Sequence, residues 1–266
     1  MTTPGTTAIV QVTLARPAWV PSAVALLDDV ERARLERLRR PVDRDAYLTR
    51  HALARLTLGR LLAREPGELR FTRDCPTCAQ QHGKPRLGGD SRPLAFSLSG
   101  TTSSGSPDTS LVAVAVVTDL LPRHVGGNVG SDIGHDVGVD LESIAATAFA
   151  GFDDVALHDF ERAELDAMPT QGRPAVRAAW WSRKEAVVKA LGDGLRTEPA
   201  TIATTPPGAT RPRLLEPHRW PRLALADLPL QPCPPGIVGA VCVLGVDDVR
   251  VVIERADLAH DVAHPA

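Results

Sequence analysis

The sequence predicts an α+β fold made of two similar halves. Three observations carry this expectation. Stretches with the period-2 alternation of strands recur at the ends of each half, and amphipathic stretches with helical spacing lie between them. A glycine-rich run from Leu121 to Asp136 separates the two sets. At 266 residues the chain can bury one large core or two small ones.

The elements follow in order. Ala8 to Ala15 alternates as a strand, and two amphipathic helices are expected near 28–38 and 43–64. A loop holding Cys75 and Cys78 comes next, then strands near 94–99 and 110–118. Between these strands, Thr101 to Asp108 reads as a flexible, low-complexity insertion. The second half opens with a strand at 137–142 and continues with helices near 153–168 and 174–191. A proline-rich stretch fills 199–235, and strands near 237–244 and 248–255 close the chain with Gly245 at their turn. The expected division is an N-terminal subdomain over 1–130 and a C-terminal subdomain over 131–266. Both halves read strand, helices, strands, although no residue-level repeat relates them.

The strand at 137–142 carries chemistry. Val137, Val139 and Leu141 alternate with Gly138, Asp140 and Glu142. Successive strand side chains point to opposite faces, so Asp140 and Glu142 share one, about 7 Å apart along the chain. Two hard oxygen ligands at that reach can grip one cation. Taken alone, the pair is also what a strand with one wet face shows.

The helix at 174–191 carries the complement. At 100° per residue, Trp180, Trp181, Val187, Val188, Ala190 and Leu191 fall in one apolar arc, with Ser182, Glu185 and Lys189 opposite. Glu185 and Lys189 are neighbours at i,i+4, a spacing that also suits a solvated salt bridge. Lys184 falls inside the apolar arc, where an ammonium must reach solvent or find an anion. Gly192-Asp-Gly194 ends the helix with a C-terminal glycine signal. Three acids and two lysines brought together suit Mg²⁺ and a polyphosphate, and point to phosphoryl-type transfer.

Composition narrows the classes. A formal net charge of −2 gives no global case for nucleic acid. The arginine-dense run from Arg32 to Arg44 is local, and fits either a solvated helix face or a basic lip for phosphate or an acidic partner helix. No run of about 18 apolar residues exists, so no membrane partner is expected. The N-terminal Met-Thr-Thr-Pro-Gly lacks a signal-peptide pattern, and a cytoplasmic location is expected. There the four cysteines, Cys75, Cys78, Cys233 and Cys242, are expected as thiols or metal ligands. Cys75, Cys78 and His82 hold half of a zinc spacing, which a thiol-bearing turn also explains.

Gly138-Val-Asp-Leu-Glu142 followed by Trp181-Ser-Arg-Lys-Glu-Ala-Val-Val-Lys-Ala-Leu-Gly192 resembles the paired signature of the surfactin-synthetase-type 4′-phosphopantetheinyl transferases. Phe71-Thr-Arg-Asp74, Gly83-Lys-Pro85, Phe96-Ser-Leu-Ser99 and the arginine-rich helices from Asp29 to Gly59 are similar to further parts of that family. The resemblance spans roughly residues 28 to 205. It implies two pseudo-twofold-related α+β subdomains, each a small antiparallel sheet with packed helices, and a site between them. It implies transfer of phosphopantetheine from coenzyme A to a serine of acyl, peptidyl or polyketide carrier domains, with release of adenosine 3′,5′-bisphosphate. By position, Asp140, Glu142 and Glu185 match metal ligands for Mg²⁺, or Mn²⁺, and Glu185 also the base. Lys189 and Lys184 would hold the pyrophosphate. Lys84, Ser99, Arg34 and Arg44 would contact the coenzyme. With both halves on one chain, a monomer is expected.

Two departures stand out. Ser99-Gly100-Thr101 replaces a Ser-His-Ser or Ser-His-Thr run whose histidine contacts a coenzyme A phosphate in the family. A second basic position of the family falls near Ala46. They leave open a relative that binds carrier or nucleotide without efficient transfer.

Overall fold

The computed structural model describes residues 5–264 apart from 76, 77, 79, 89–93, 103–108, 122–135 and 231–235. It is an α+β fold of small sheets with packed helices. The first sheet runs β4 (Phe96–Thr101), β5 (Leu111–Leu121), β1 (Thr7–Ala15), β9 (Asp248–Arg255). The second runs β6 (Val137–Ser143), β8 (Ile237–Leu244), β7 (Leu223–Asp227), antiparallel throughout. A separate hairpin pairs β2 (Phe71–Asp74) with β3 (Gln81–Leu87) where a cysteine-bearing loop is expected. The glycine-rich linker, most of the 101–108 insertion and Cys233 lie outside the described residues, as does the side chain of His82.

The layers follow from the strand sequences. Val112, Val114 and Val116 of β5 pack with Leu53 and Leu58 of α2 (Pro41–Leu62). Leu111, Ala113 and Ala115, on the opposite face, join Val10, Val12 and Leu14 of β1 and Val139, Leu141, Val241 and Val243 of the second sheet. Burial on both faces is why β5 reads as an unbroken apolar run. Behind the second sheet, Val187 and Ala190 of α5 (Arg173–Leu191) meet Ala240 and Cys242. The two halves therefore share one central core, with α2 and α5 as outer layers.

Three expectations are corrected here. β8 and β9 do not pair with each other: Gly245, at φ +76°, sends β9 back to lie parallel beside β1, with Thr7 opposite Asp248. The chain thus does not part at residue 131 into two halves, because β9 and α6 (Leu258–Ala263) complete the N-terminal side. The helix near 153–168 is two, α3 (Phe152–Ala156) and α4 (Asp159–Ala167), separated where His158 caps the second in a capping box with Glu161. The proline-rich stretch also contains β7, anchored to α5 by a two-pronged bond from Arg183 to Asp227 at 2.7 and 2.6 Å.

Buried charge holds the N-terminal helices. Glu31 of α1 (Asp29–Arg37) meets Arg55 of α2 at 2.7 Å, Arg73 of β2 at 2.6 Å and His51 at 3.0 Å. Burial alone would push the Glu31 carboxyl up. The His51 hydrogen bond, the charges of His51 and Arg55 and the Asp28 N–H reverse this and hold it at about 2.

A depressed carboxylate stabilises the fold above its ordinary range and loses that contribution on acidification. A fall from 4.5 to about 2 corresponds to roughly 3 kcal/mol. Glu31→Gln should therefore lower stability at neutral pH by about 3–5 kcal/mol, as expected when buried cations lose their partner. Denaturant midpoints measured against pH should show the gap between wild type and variant closing as pH falls from about 4.5 towards 2. A gap independent of pH would rule out this role.

Candidate active site

The site forms where β4, β6 and α5 meet. Gly138 is the reason they can meet so closely. A Cβ there would lie 1.9 Å from the Ala186 carbonyl and 2.5 Å from the Ala190 nitrogen, so β6 rests directly on α5. On the other side of β6, two hydroxyls of β4 take its amides. Ser97 Oγ accepts from Val139 N at 3.1 Å and Ser99 Oγ from Leu141 N at 3.0 Å.

Ser99 then reaches the acids. Its hydroxyl donates to Asp140 Oδ1 at 3.0 Å and accepts from Lys189 Nζ at 3.2 Å. Lys189 also bonds to Asp140 Oδ1 at 2.6 Å. The hydroxyl's one donor and two acceptor positions are all used. Asp140 is 4% exposed, and its Oδ2 is buried without a partner among the described residues. A buried acceptor left unbonded is costly and calls for an explanation.

The electrostatics supply one. Burial raises Asp140 above the ordinary carboxylate range, against the opposing pull of Lys189 and Ser99. Burial, then the neighbouring Asp140, pushes Glu142 up to about 7, although Trp181 Nε1 donates to Glu142 Oε1 at 3.1 Å. Burial and Asp140 also raise Glu185, against Lys189. Three carboxylates that resist ionisation in each other's presence are what a divalent cation relieves. An orphaned Asp140 oxygen beside them, with only oxygen donors in the set, fits Mg²⁺ or Mn²⁺. Among the described residues no group of three His, Cys, Asp or Glu side chains that could hold a metal ion is preformed. Mg²⁺ needs none, since it binds through a few carboxylates plus phosphate oxygens and water.

The structure thus brings together Ser99, Asp140, Glu142, Glu185 and Lys189. Other expected residues are used differently. Lys184 is fully buried, and its three donors go to Glu161 Oε2 at 2.5 Å, the Ala156 carbonyl at 2.7 Å and the Pro199 carbonyl at 3.1 Å. The anion this lysine needs is Glu161, which corrects its expected role on the pyrophosphate. Glu161 is itself satisfied by the amides of His158 and Thr204. Lys84 bonds to Asp136 and to the Val137 carbonyl at 2.8 Å, tying β3 to the start of β6 rather than standing open to a phosphate. Arg44 is exposed and stacks on Trp19 with Cζ 4.8 Å from the ring centroid. Arg34 is exposed on α1, and neither arginine bonds to the three acids.

Sequence reasoning missed Trp181 as the hydrogen-bond donor that holds Glu142. Its place in the apolar arc suggested a core anchor; only its spacing of one turn from Glu185 connected it to the acids. Trp180, by contrast, is fully buried as expected.

Residues 136–229 match the 4′-phosphopantetheinyl transferase superfamily. That stretch contains Asp140, Glu142, Trp181, Glu185 and Lys189. The chain is also 29% identical over 183 residues to the 4′-phosphopantetheinyl transferase HetI of Nostoc sp. (strain PCC 7120 / SAG 25.82 / UTEX 2576), covering 68% of this chain and 67% of the relative.

The reassignment of Lys184 has a measurable consequence. Lys184→Met leaves Glu161 buried and unpaired, and should destabilise the fold by about 3–5 kcal/mol. The folded variant should bind nucleotide ligands as wild type does. Denaturant unfolding and ligand titration on the same sample separate the two effects; a stable variant with weakened binding would return Lys184 to the ligand.

Proposed function

We propose that this chain is a 4′-phosphopantetheinyl transferase of the surfactin-synthetase type. It moves the phosphopantetheine arm of coenzyme A to a serine of acyl, peptidyl or polyketide carrier domains and releases adenosine 3′,5′-bisphosphate. The observation that carries the reading is the unpartnered Asp140 Oδ2 set beside Glu142, Glu185 and Lys189. The family match over the stretch that holds all four residues supports it.

Asp140, Glu142 and Glu185 would hold Mg²⁺, which when bound supplies charge neutralisation at the pyrophosphate. The residues of the chain do the rest. Transfer of this kind needs positioning and neutralisation more than covalent chemistry. Glu185, half-buried and raised above the ordinary carboxylate range, would take the carrier serine's proton, directly or through one water. The serine oxygen then bonds to the phosphorus of the pantetheine arm as the bond to the adenosine bisphosphate breaks. The electron pair leaves with that phosphate, and Lys189 lies where it can balance the charge. Ser99 holds Asp140 and Lys189 in register for this. We place the reaction in a monomer, because residues from both sides of the site lie on one chain.

The test is turnover followed by release of adenosine 3′,5′-bisphosphate from coenzyme A and an apo carrier domain. Glu185→Gln should lose about 10²–10⁴-fold in turnover even at saturating Mg²⁺, because an amide cannot accept the proton. Asp140→Ala and Glu142→Ala should lose activity with a raised Mg²⁺ requirement. Wild-type turnover in Glu185→Gln would contradict the base assignment.

A further inference from the structure

The tip of the β2–β3 hairpin carries two cysteines that the transfer reaction does not use. Cys75 follows β2 directly, and its N–H donates to the Gln80 carbonyl at 2.9 Å, closing the turn that joins the strands. Cys78 lies within that turn. Cys75 is half-buried and Cys78 exposed, and among the described residues neither is joined in a disulfide. Packing does not account for them, since cysteine is ordinarily among the most buried residue types. Cys242 shows the contrast. It is fully buried beside Ala240 and Val187, and burial pushes its thiol well above the ordinary range. A thiol kept at the surface is placed for what it binds.

The tip has no apolar core of its own. Asp74, Cys78, Gln80 and Gln81 are all exposed. The hairpin is held further back, where Arg73 meets Glu31, and where Lys84 and Arg86 bond to Asp136. Just beyond the tip β3 presses on β2, since a Cβ on Gly83 would lie 2.4 Å from the Asp74 carbonyl. A two-stranded hairpin has little stability by itself, so its tip gains most from a further tie.

The spacing names the tie. Cysteines three residues apart in a turn can bring both sulfurs to one tetrahedral ion, at about 2.3 Å each. His82 follows, completing Cys-x2-Cys-x3-His in the sequence. Two sulfurs and an imidazole nitrogen suit zinc, whereas the all-oxygen set at Asp140 suits Mg²⁺. No group of three ligands is preformed among the described residues, which do not include the His82 side chain. The ion therefore has to gather its ligands as it binds.

We infer that Cys75, Cys78 and His82 bind a zinc ion at the hairpin tip, with water in the fourth position. The ion staples the tip and so steadies Lys84 and Arg86 on Asp136. Both thiols lose their protons as it binds, so affinity rises with pH.

Titration of Co²⁺ and then Zn²⁺ into the untagged, metal-stripped, reduced chain in excess Mg²⁺ tests it. The near-ultraviolet absorption of thiolate-bound cobalt should saturate at one ion per chain and vanish as zinc displaces it. Replacing both cysteines, Cys75→Ser with Cys78→Ser, should abolish the absorption, and Asp140→Ala should keep it. His82→Ala should weaken zinc by at least roughly tenfold, the loss that even an outer partner's removal brings. No thiolate absorption in wild type, absorption that persists in the double variant, or full affinity in His82→Ala overturns the site. A second measurement needs no variant. Alkylation of Cys78 by iodoacetamide, read by peptide mass, should be slowed by Zn²⁺ and not by Mg²⁺. Equal labelling with and without Zn²⁺, or a Cys75–Cys78 disulfide that persists under reducing conditions, overturns the inference. Either failure leaves the transferase reading intact, because no step of that reaction uses these residues.

Discussion

The structure turns on the serine hydroxyls of β4. β4 and β6 face each other at the edges of two different sheets, and edge amides need partners. Direct strand pairing would have fused the sheets into one. Ser97 and Ser99 instead take the Val139 and Leu141 amides on their side chains, so the strands are joined with side-chain atoms between them. Ser99 spends its remaining bonding capacity on Asp140 and Lys189. The joint between the halves and the centre of the candidate site are therefore built from the same atoms. Any shift of one half against the other is felt at Asp140.

Charge satisfaction separates framework from function. Lys184, Arg183 and Arg55 are wholly buried cations, and each has an acid and carbonyl oxygens around it. They lock α5 to α4 and β7, and α2 to α1. Asp140 Oδ2 lacks such a partner among the described residues. Fully paired buried charge contributes order at little net gain, whereas a buried group left short of partners is a cost the fold carries until something binds. By this measure the lysine one residue before Glu185 is scaffold and the lysine four residues after it belongs to the site.

Much of this was legible in the sequence. The alternation at Val137 to Glu142 placed both acids on one face, and helical spacing placed Glu185 with Lys189; these are local periodicities, fixed by 2.0 and 3.6 residues per repeat. The role of Lys184 was not legible, because Glu161 comes from another helix and nothing in the spacing names it. The hairpin β2–β3 hid because Gly83 and Pro85 weaken the strand signal there. The return of β9 to β1 hid for a different reason: the pairing joins residues at opposite ends of the chain, and a turn at Gly245 looks the same whether the next strand pairs locally or crosses to another sheet. The seam itself showed only as two serines in a strand.

The central claim is that the oxygen cluster around Asp140 serves transfer of phosphopantetheine to a carrier serine. Intact-mass spectrometry tests it most directly, on apo acyl, peptidyl and polyketide carrier domains incubated with the wild-type chain, coenzyme A and Mg²⁺. The account predicts a carrier heavier by one phosphopantetheine group, with the gain abolished by chelating the metal or by replacing the acceptor serine with alanine. Unchanged carrier masses across the panel, from a chain shown to be folded and to bind coenzyme A, would contradict it.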